Sequence, residues 1–183
     1  MKRTVIGGVA LALVAVVAVY VGEALNLGLP TPLLGIAAGG VLALAPGGHK
    51  LGRLVGFLVG VLISVVGYGL SAGFLPASSG GTAVQVLVVF LLVTAAAALS
   101  FGRMPLWSVL LGAGAFAGAY DWIYQDKPYN YLTSVVQVLG TFLVLFGLGY
   151  LTAALVDWLF PEERAEQAAE RAELDYATVG SEQ

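Results

Sequence analysis

Few side chains in this sequence can do chemistry, and most of those lie in apolar surroundings. Gln85, Gln137 and Thr141 are polar residues inside or beside long apolar runs, with Ser64 and Thr94 as lesser companions. An amide in hydrocarbon without a partner is costly, so these groups must face other protein or a water-filled path. Two uses follow: hydrogen bonds between helices, or the lining of a narrow path for a small neutral solute. "GGHKLGR" holds a second group, His49, Lys50 and Arg53. Basic residues beside an apolar run set topology and snorkel to anionic head groups; the sharper reading is a phosphate or acidic-lipid site, or a gate.

Most catalytic chemistry is excluded. His49 is the sole histidine and cysteine is absent, which removes thiolate metal sites, cysteine nucleophiles and disulfides. No H-E-x-x-H, no G-x-S-x-G with a usable histidine and no phosphate-binding glycine loop with its lysine occurs. The expectation is therefore no enzyme, no metal and no cofactor. Glu23, Asp121 and Asp157 fall at the ends of apolar runs, where a carboxylate reaches water, and this argues against ion coupling through a buried acid.

The elements that must position these groups are written in the composition. The 183-residue chain is 59% hydrophobic and 10% charged, with a mean hydropathy of +0.92, whereas soluble domains carry about 25% charged residues. Six apolar segments can be drawn, at Thr4–Val21, Thr31–Ala45, Leu51–Phe74, Thr82–Ser100, Pro105–Ile123 and Leu132–Phe160. A hydrocarbon core of about 30 Å takes about 20 helical residues, so the second segment spans only barely. Charge favours its crossing: Lys2, Arg3, Lys50, Arg53 and Arg103 then share the cytoplasmic side and Lys127 alone lies outside. Trp107 and Trp158 fall at inner ends, and Tyr120, Trp122, Tyr124, Tyr129 and Tyr131 gather at the outer loop as an interfacial belt. The basic start reads as an uncleaved first helix rather than a signal peptide.

Small residues recur every fourth position at Gly52, Gly56, Gly60 and Ser64, and again at Gly35 and Gly39 and at Gly114 and Gly118. Such faces let helix backbones approach closely, within one chain or between chains. Three helices followed by three also raise an inverted repeat. "PLL" at Pro32–Leu34 matches "PLW" at Pro105–Trp107, and Gly67-Tyr68 with the following Leu70-Ser71-Ala72 resembles Gly149-Tyr150 with Leu151-Thr152-Ala153. The two short, glycine-interrupted segments then hold equivalent places, which in such folds points to a site or pore.

The sequence thus predicts an all-α membrane protein of six transmembrane helices with both termini cytoplasmic; two inverted three-helix repeats are one arrangement of them, and chance matches in a chain dominated by Gly, Ala, Leu and Val are the alternative. Residues 1–160 form the membrane domain and residues 161–183 an acidic cytoplasmic tail. A sequence pI near 5.0 with scarce lysine leans towards a high-salt environment. The expected location is the cell membrane; the expected partners are the lipid bilayer and either a second copy or another membrane protein, with no nucleic acid. Two functional classes remain: a channel or facilitator for a small solute, with the second and fifth helices at its path and Gln85, Gln137, Thr141 and Ser64 along it, and a non-catalytic subunit of a larger membrane complex.

Overall fold

The computed structural model describes residues 2–24, 32–45, 49–126 and 130–160; Lys127, Tyr129 and the acidic tail lie outside them. Among the described residues there are six helices and no strand: α1 (Lys2–Ala24), α2 (Pro32–Leu44), α3 (Lys50–Phe74), α4 (Ser79–Leu99), α5 (Leu106–Asp126) and α6 (Tyr131–Leu159). Each apolar segment drawn from the sequence coincides with one helix to within three residues. Within α1 the stretch Ile6–Ala24, together with α3, α4 and α6, is long and apolar enough to cross a membrane, which supports a multi-pass membrane protein. At 13 residues, α2 is only about 20 Å long.

Local chemistry sets the helix limits. Pro32 opens α2, where its missing N–H costs nothing. The Ser78 hydroxyl accepts the Gly81 N–H at 3.3 Å and caps α4. After α4, Phe101 and Gly102 both take positive φ (51° and 79°), and the Ser100 hydroxyl accepts the Met104 N–H at 3.1 Å, closing the turn into α5.

Helices α2, α3, α5 and α6 form the centre, with α1 laid against α6 and α2, and α4 against α3 and α5. Neither the α2/α6 nor the α3/α5 crossing leaves room for a methyl group. A Cβ on Gly39 would overlap the Phe146 carbonyl of α6, and one on Gly149 of α6 would overlap the Ile36 carbonyl of α2. In the same way Gly60 of α3 meets the Val109 carbonyl of α5, and Gly112 of α5 meets the Phe57 carbonyl of α3. Lipid tails give apolar helix faces no reason to pair, so backbone approach of this kind, with its dispersion contacts, is what holds such a bundle.

The order of these contacts gives the directions. Gly35 lies by Leu145 and Gly39 by Phe146 and Tyr150, so α2 and α6 run parallel; Gly52 lies by Arg103 and Gly60 by Val109, so α3 and α5 also run parallel. Where the two pairs meet, Phe57, Phe116, Phe142 and Phe146 fill the space. Phe57 and Phe146 stack at 4.2 Å between ring centroids, and Phe116 meets Phe142 edge-on at 5.9 Å.

Three aromatic or charged positions, Tyr120, Asp157 and Arg53, depart from the sequence reading. Tyr120, expected in an interfacial belt, is fully buried, whereas its neighbour Trp122 is 81% exposed. The Tyr120 hydroxyl meets that of Ser134 at 2.8 Å, and Gly69 leaves the space into which the Tyr131 ring folds. Asp157, expected to reach water, is 8% exposed and faces Lys50 at 4.0 Å, and Arg53 is 4% exposed. Both are covered because α3 and α6 bring these ends together inside the protein, so charge is buried at the bundle end although none lies mid-span.

A slot between three helices as the candidate functional site

Of the polar residues singled out in the sequence, Ser64 and Gln85 come together in a slot between α3, α4 and α5, about 200 Å³ in volume. Helix α3 contributes Ser64 and Tyr68; α4 contributes Thr82, Gln85, Val86, Val89, Phe90 and Val93; α5 contributes Leu110, Ala113, Gly114, Ala117 and Asp121. Beside the slot α4 seats closely on α3, where Val89 occupies the space a side chain at Gly67 would take. On the facing helix, Gly114 presents open space, with no atom within 4 Å of where its Cβ would stand.

Position along the helices orders the lining. Asp121, Tyr68, Thr82 and Gln85 gather at one end, Ser64 and Gly114 stand midway, and Val93, Ala113 and Leu110 close the far end. From Asp121 to Leu110 the slot follows α5 for about 16 Å. It is polar where the bundle ends and apolar where it reaches mid-span.

Asp121 is held firmly. Its Oδ1 accepts the Tyr68 O–H at 3.0 Å and its Oδ2 accepts the Gln125 amide N–H at 2.6 Å. Tyr68 is itself fixed between Tyr120 and Tyr124, with ring centroids 5.0 and 5.1 Å away. Tyr131 ties α6 to the same end by donating to the Val65 carbonyl at 2.6 Å.

Gln137 and Thr141 are elsewhere. They line a separate groove of about 430 Å³ between α1 and α6, with Ala18, Val21, Gly22 and Gly140 among its walls. The phenylalanine-filled centre stands between the two flanks, so the residues proposed for one path fall into two pairs.

The basic cluster also divides. His49 and Lys50 are exposed, while Arg53 turns inward and donates from its guanidinium to the Ala45 carbonyl. This satisfies an acceptor just past the C-terminal end of α2, where the helix dipole favours a cation. Among the glycines, Gly35, Gly39, Gly56 and Gly60 face neighbouring helices of the same chain, Gly52 faces the Arg103 carbonyl in the α4–α5 turn, a Cβ on Gly118 would meet only the Leu34 side chain, at 3.3 Å, and Gly114 faces the slot.

Four residues that matter here carry no sequence signal strong enough to select them. Gly112 and Gly149 complete the crossings, and Tyr68 and Asp121 build the polar end of the slot. Gly149 was visible only as part of a repeat match, and Asp121 only as an acid at a helix end.

No known family matches this chain, and no curated protein or solved structure is significantly similar to it.

Proposed function

We propose that the chain is a transport protein of the cell membrane for a small solute, built from two inverted three-helix repeats whose contact surface holds the solute site. The observation that carries this reading is the doubled glycine crossing. Ile36 and Gly39 on α2 meet Phe146 and Gly149 on α6 in the same reciprocal way that Val109 and Gly112 on α5 meet Phe57 and Gly60 on α3. Exchanging α1 with α4, α2 with α5 and α3 with α6 turns each crossing into the other.

The exchange also agrees with the outer helices, since α1 lies on α6 as α4 lies on α3. It keeps the Pro32–Pro105 match, but it pairs Gly149 with Gly60 in place of Gly67, a shift of seven residues. Under this pairing Phe57 and Phe146 are equivalent residues, and their stacked rings sit on the axis relating the halves.

Six crossings with both termini cytoplasmic fit the same geometry. The α2–α3 connection and the α4–α5 turn share one end, where Gly52 lies against Arg103, and that end carries His49, Lys50, Arg53 and Arg103. The opposite end carries Asp121. Short as it is, α2 has six of its residues buried by neighbouring helices, so its ends are shielded by protein.

Inverted repeats place binding sites where the halves meet. The slot lies there, with α3 from the first half and α4 and α5 from the second. Because aromatic rings fill the centre, passage takes place by movement of the lightly packed flanks and not through a standing pore. Proteoliposomes challenged with gradients of urea, glycerol and short alkylamines, followed by stopped-flow light scattering, test the reading. Flux above that of empty liposomes, reduced by Gln85→Leu, is the expected result; permeability equal to empty liposomes would end it.

The filled centre and the exposed apolar faces of α1 and α4 also favour a second reading, a non-transporting subunit of a larger membrane complex. It predicts a stoichiometric heteromer in native mass spectra of protein released from its own membrane.

A further inference from the structure

We infer that the slot between α3, α4 and α5 binds a small amphipathic amine, with its ammonium at the Asp121 carboxylate and its apolar body along Val86, Val89 and Val93; this rests on the transport reading and gives its pocket a substrate class. Among the described residues that line the slot, Asp121 alone carries charge. It lies at one end, and the rest of the lining becomes steadily more apolar with depth.

The carboxylate is set up to receive a donor. Each oxygen already accepts one hydrogen bond, from Tyr68 or from Gln125, and each keeps a further lone pair. Both existing partners are donors, so they fix the direction of the carboxylate without neutralising it. An ammonium supplies three N–H donors and the opposite charge, while an anion would be repelled and a neutral hydroxyl would forgo the charge-assisted bond. Gln85 and Thr82 stand at the same end with side-chain oxygens for the remaining N–H groups.

The depth of the slot asks for the other half of the ligand. Beyond Ser64 the walls are Val89, Val93, Ala113 and Leu110, which offer an alkyl chain dispersion contacts and offer a second polar group nothing. A volume of about 200 Å³ corresponds to about seven waters of liquid volume, which suits a short alkyl chain bearing one amine. The Phe90 ring, deeper on the same wall, adds an apolar face for the alkyl chain.

The test compares hexylamine with hexan-1-ol and hexanoate, ligands of equal chain length, by isothermal titration of the purified full-length chain in detergent. Hexylamine should bind at least about tenfold more tightly than hexan-1-ol, and hexanoate should not bind. Asp121→Asn, which keeps an oxygen for Tyr68, should remove that preference. Gly114→Leu, whose side chain enters open space, should block hexylamine without unfolding the protein and so reports background partitioning into micelles. Equal binding of amine and alcohol, or amine binding untouched by either substitution, would overturn the inference. Amine binding without flux in proteoliposomes would leave this site standing and end the transport reading. Flux of neutral solutes without amine preference would do the reverse.

Discussion

At the α2/α6 and α3/α5 crossings a single methyl group has no room, whereas along α1 and α4 large side chains such as Leu13, Val17, Leu87 and Leu91 are exposed over more than half of their surface. The two regions share a composition rich in Gly, Ala, Leu and Val, so composition does not separate them. What separates them is the partner. Glycine at a crossing, such as Gly39 or Gly60, faces a backbone carbonyl of another helix; towards the flanks Gly40 and Gly67 face only side chains of α1 and α4, and Gly114 and Gly140 face open space. The contrast teaches that stability is concentrated at two small contacts, and that the loosely packed flanks are where a ligand can enter.

Substitutions can break that contrast, and the largest effect is expected at the crossings. Gly39→Ala and Gly60→Ala should each cost about 3 kcal/mol, because the new Cβ would overlap a carbonyl oxygen and backbones cannot yield as side chains do. The midpoint of SDS-induced unfolding in mixed micelles reads this directly. If both variants unfold like the parent, the crossings do not hold the bundle.

A smaller loss is expected at the rings between the crossings. Phe146→Ala removes the stack with Phe57 and leaves a cavity of roughly 100 Å³, worth about 2 kcal/mol at 24 cal/mol per Å³. The transfer part of the usual penalty is absent, since lipid is as apolar as the site. The same unfolding assay would report it, together with entry of small apolar gases such as xenon into the space vacated.

Tyr68→Phe sharpens the contrast at the polar end. It deletes one hydrogen bond to Asp121 and keeps the ring among its neighbours, for a cost of about 1 kcal/mol. Because the freed carboxylate loses its orientation, amine binding should weaken more than stability does, and titration beside unfolding separates the two. The smallest effect is expected at the flank: Gly114→Ala should be neutral or gain up to about 0.8 kcal/mol of helix propensity, in opposition to the loss at Gly60.

The sequence made the helices legible because each is a run of apolar residues ended by proline, glycine, serine or charge, signals that act over neighbouring residues. It also showed the stripe Gly52, Gly56, Gly60, since period four in glycine has a direct geometric meaning. Which carbonyl each glycine meets was not legible, because that depends on helices as far apart in sequence as α2 and α6. Tyr120 illustrates the same limit. A tyrosine near a helix end reads as interfacial, yet a hydroxyl partner on α6 and the gap at Gly69 allow this end to fold inward. Gln85 and Gln137 looked alike in the sequence, and only packing assigns one to the slot and the other to a separate groove.

The inverted arrangement depends most on α2 crossing the membrane, because three crossings per half are what invert the second half. The absence of cysteine makes single-cysteine labelling in intact cells the direct measurement, at Ala77→Cys and Asp126→Cys against His49→Cys and Arg103→Cys. A membrane-impermeant maleimide should label the first pair from outside and the second pair only after permeabilisation. Glu23→Cys, near the end of α1, and His49→Cys flank α2: labelling of these two from opposite sides is the result predicted, and labelling of both from the same side would contradict it.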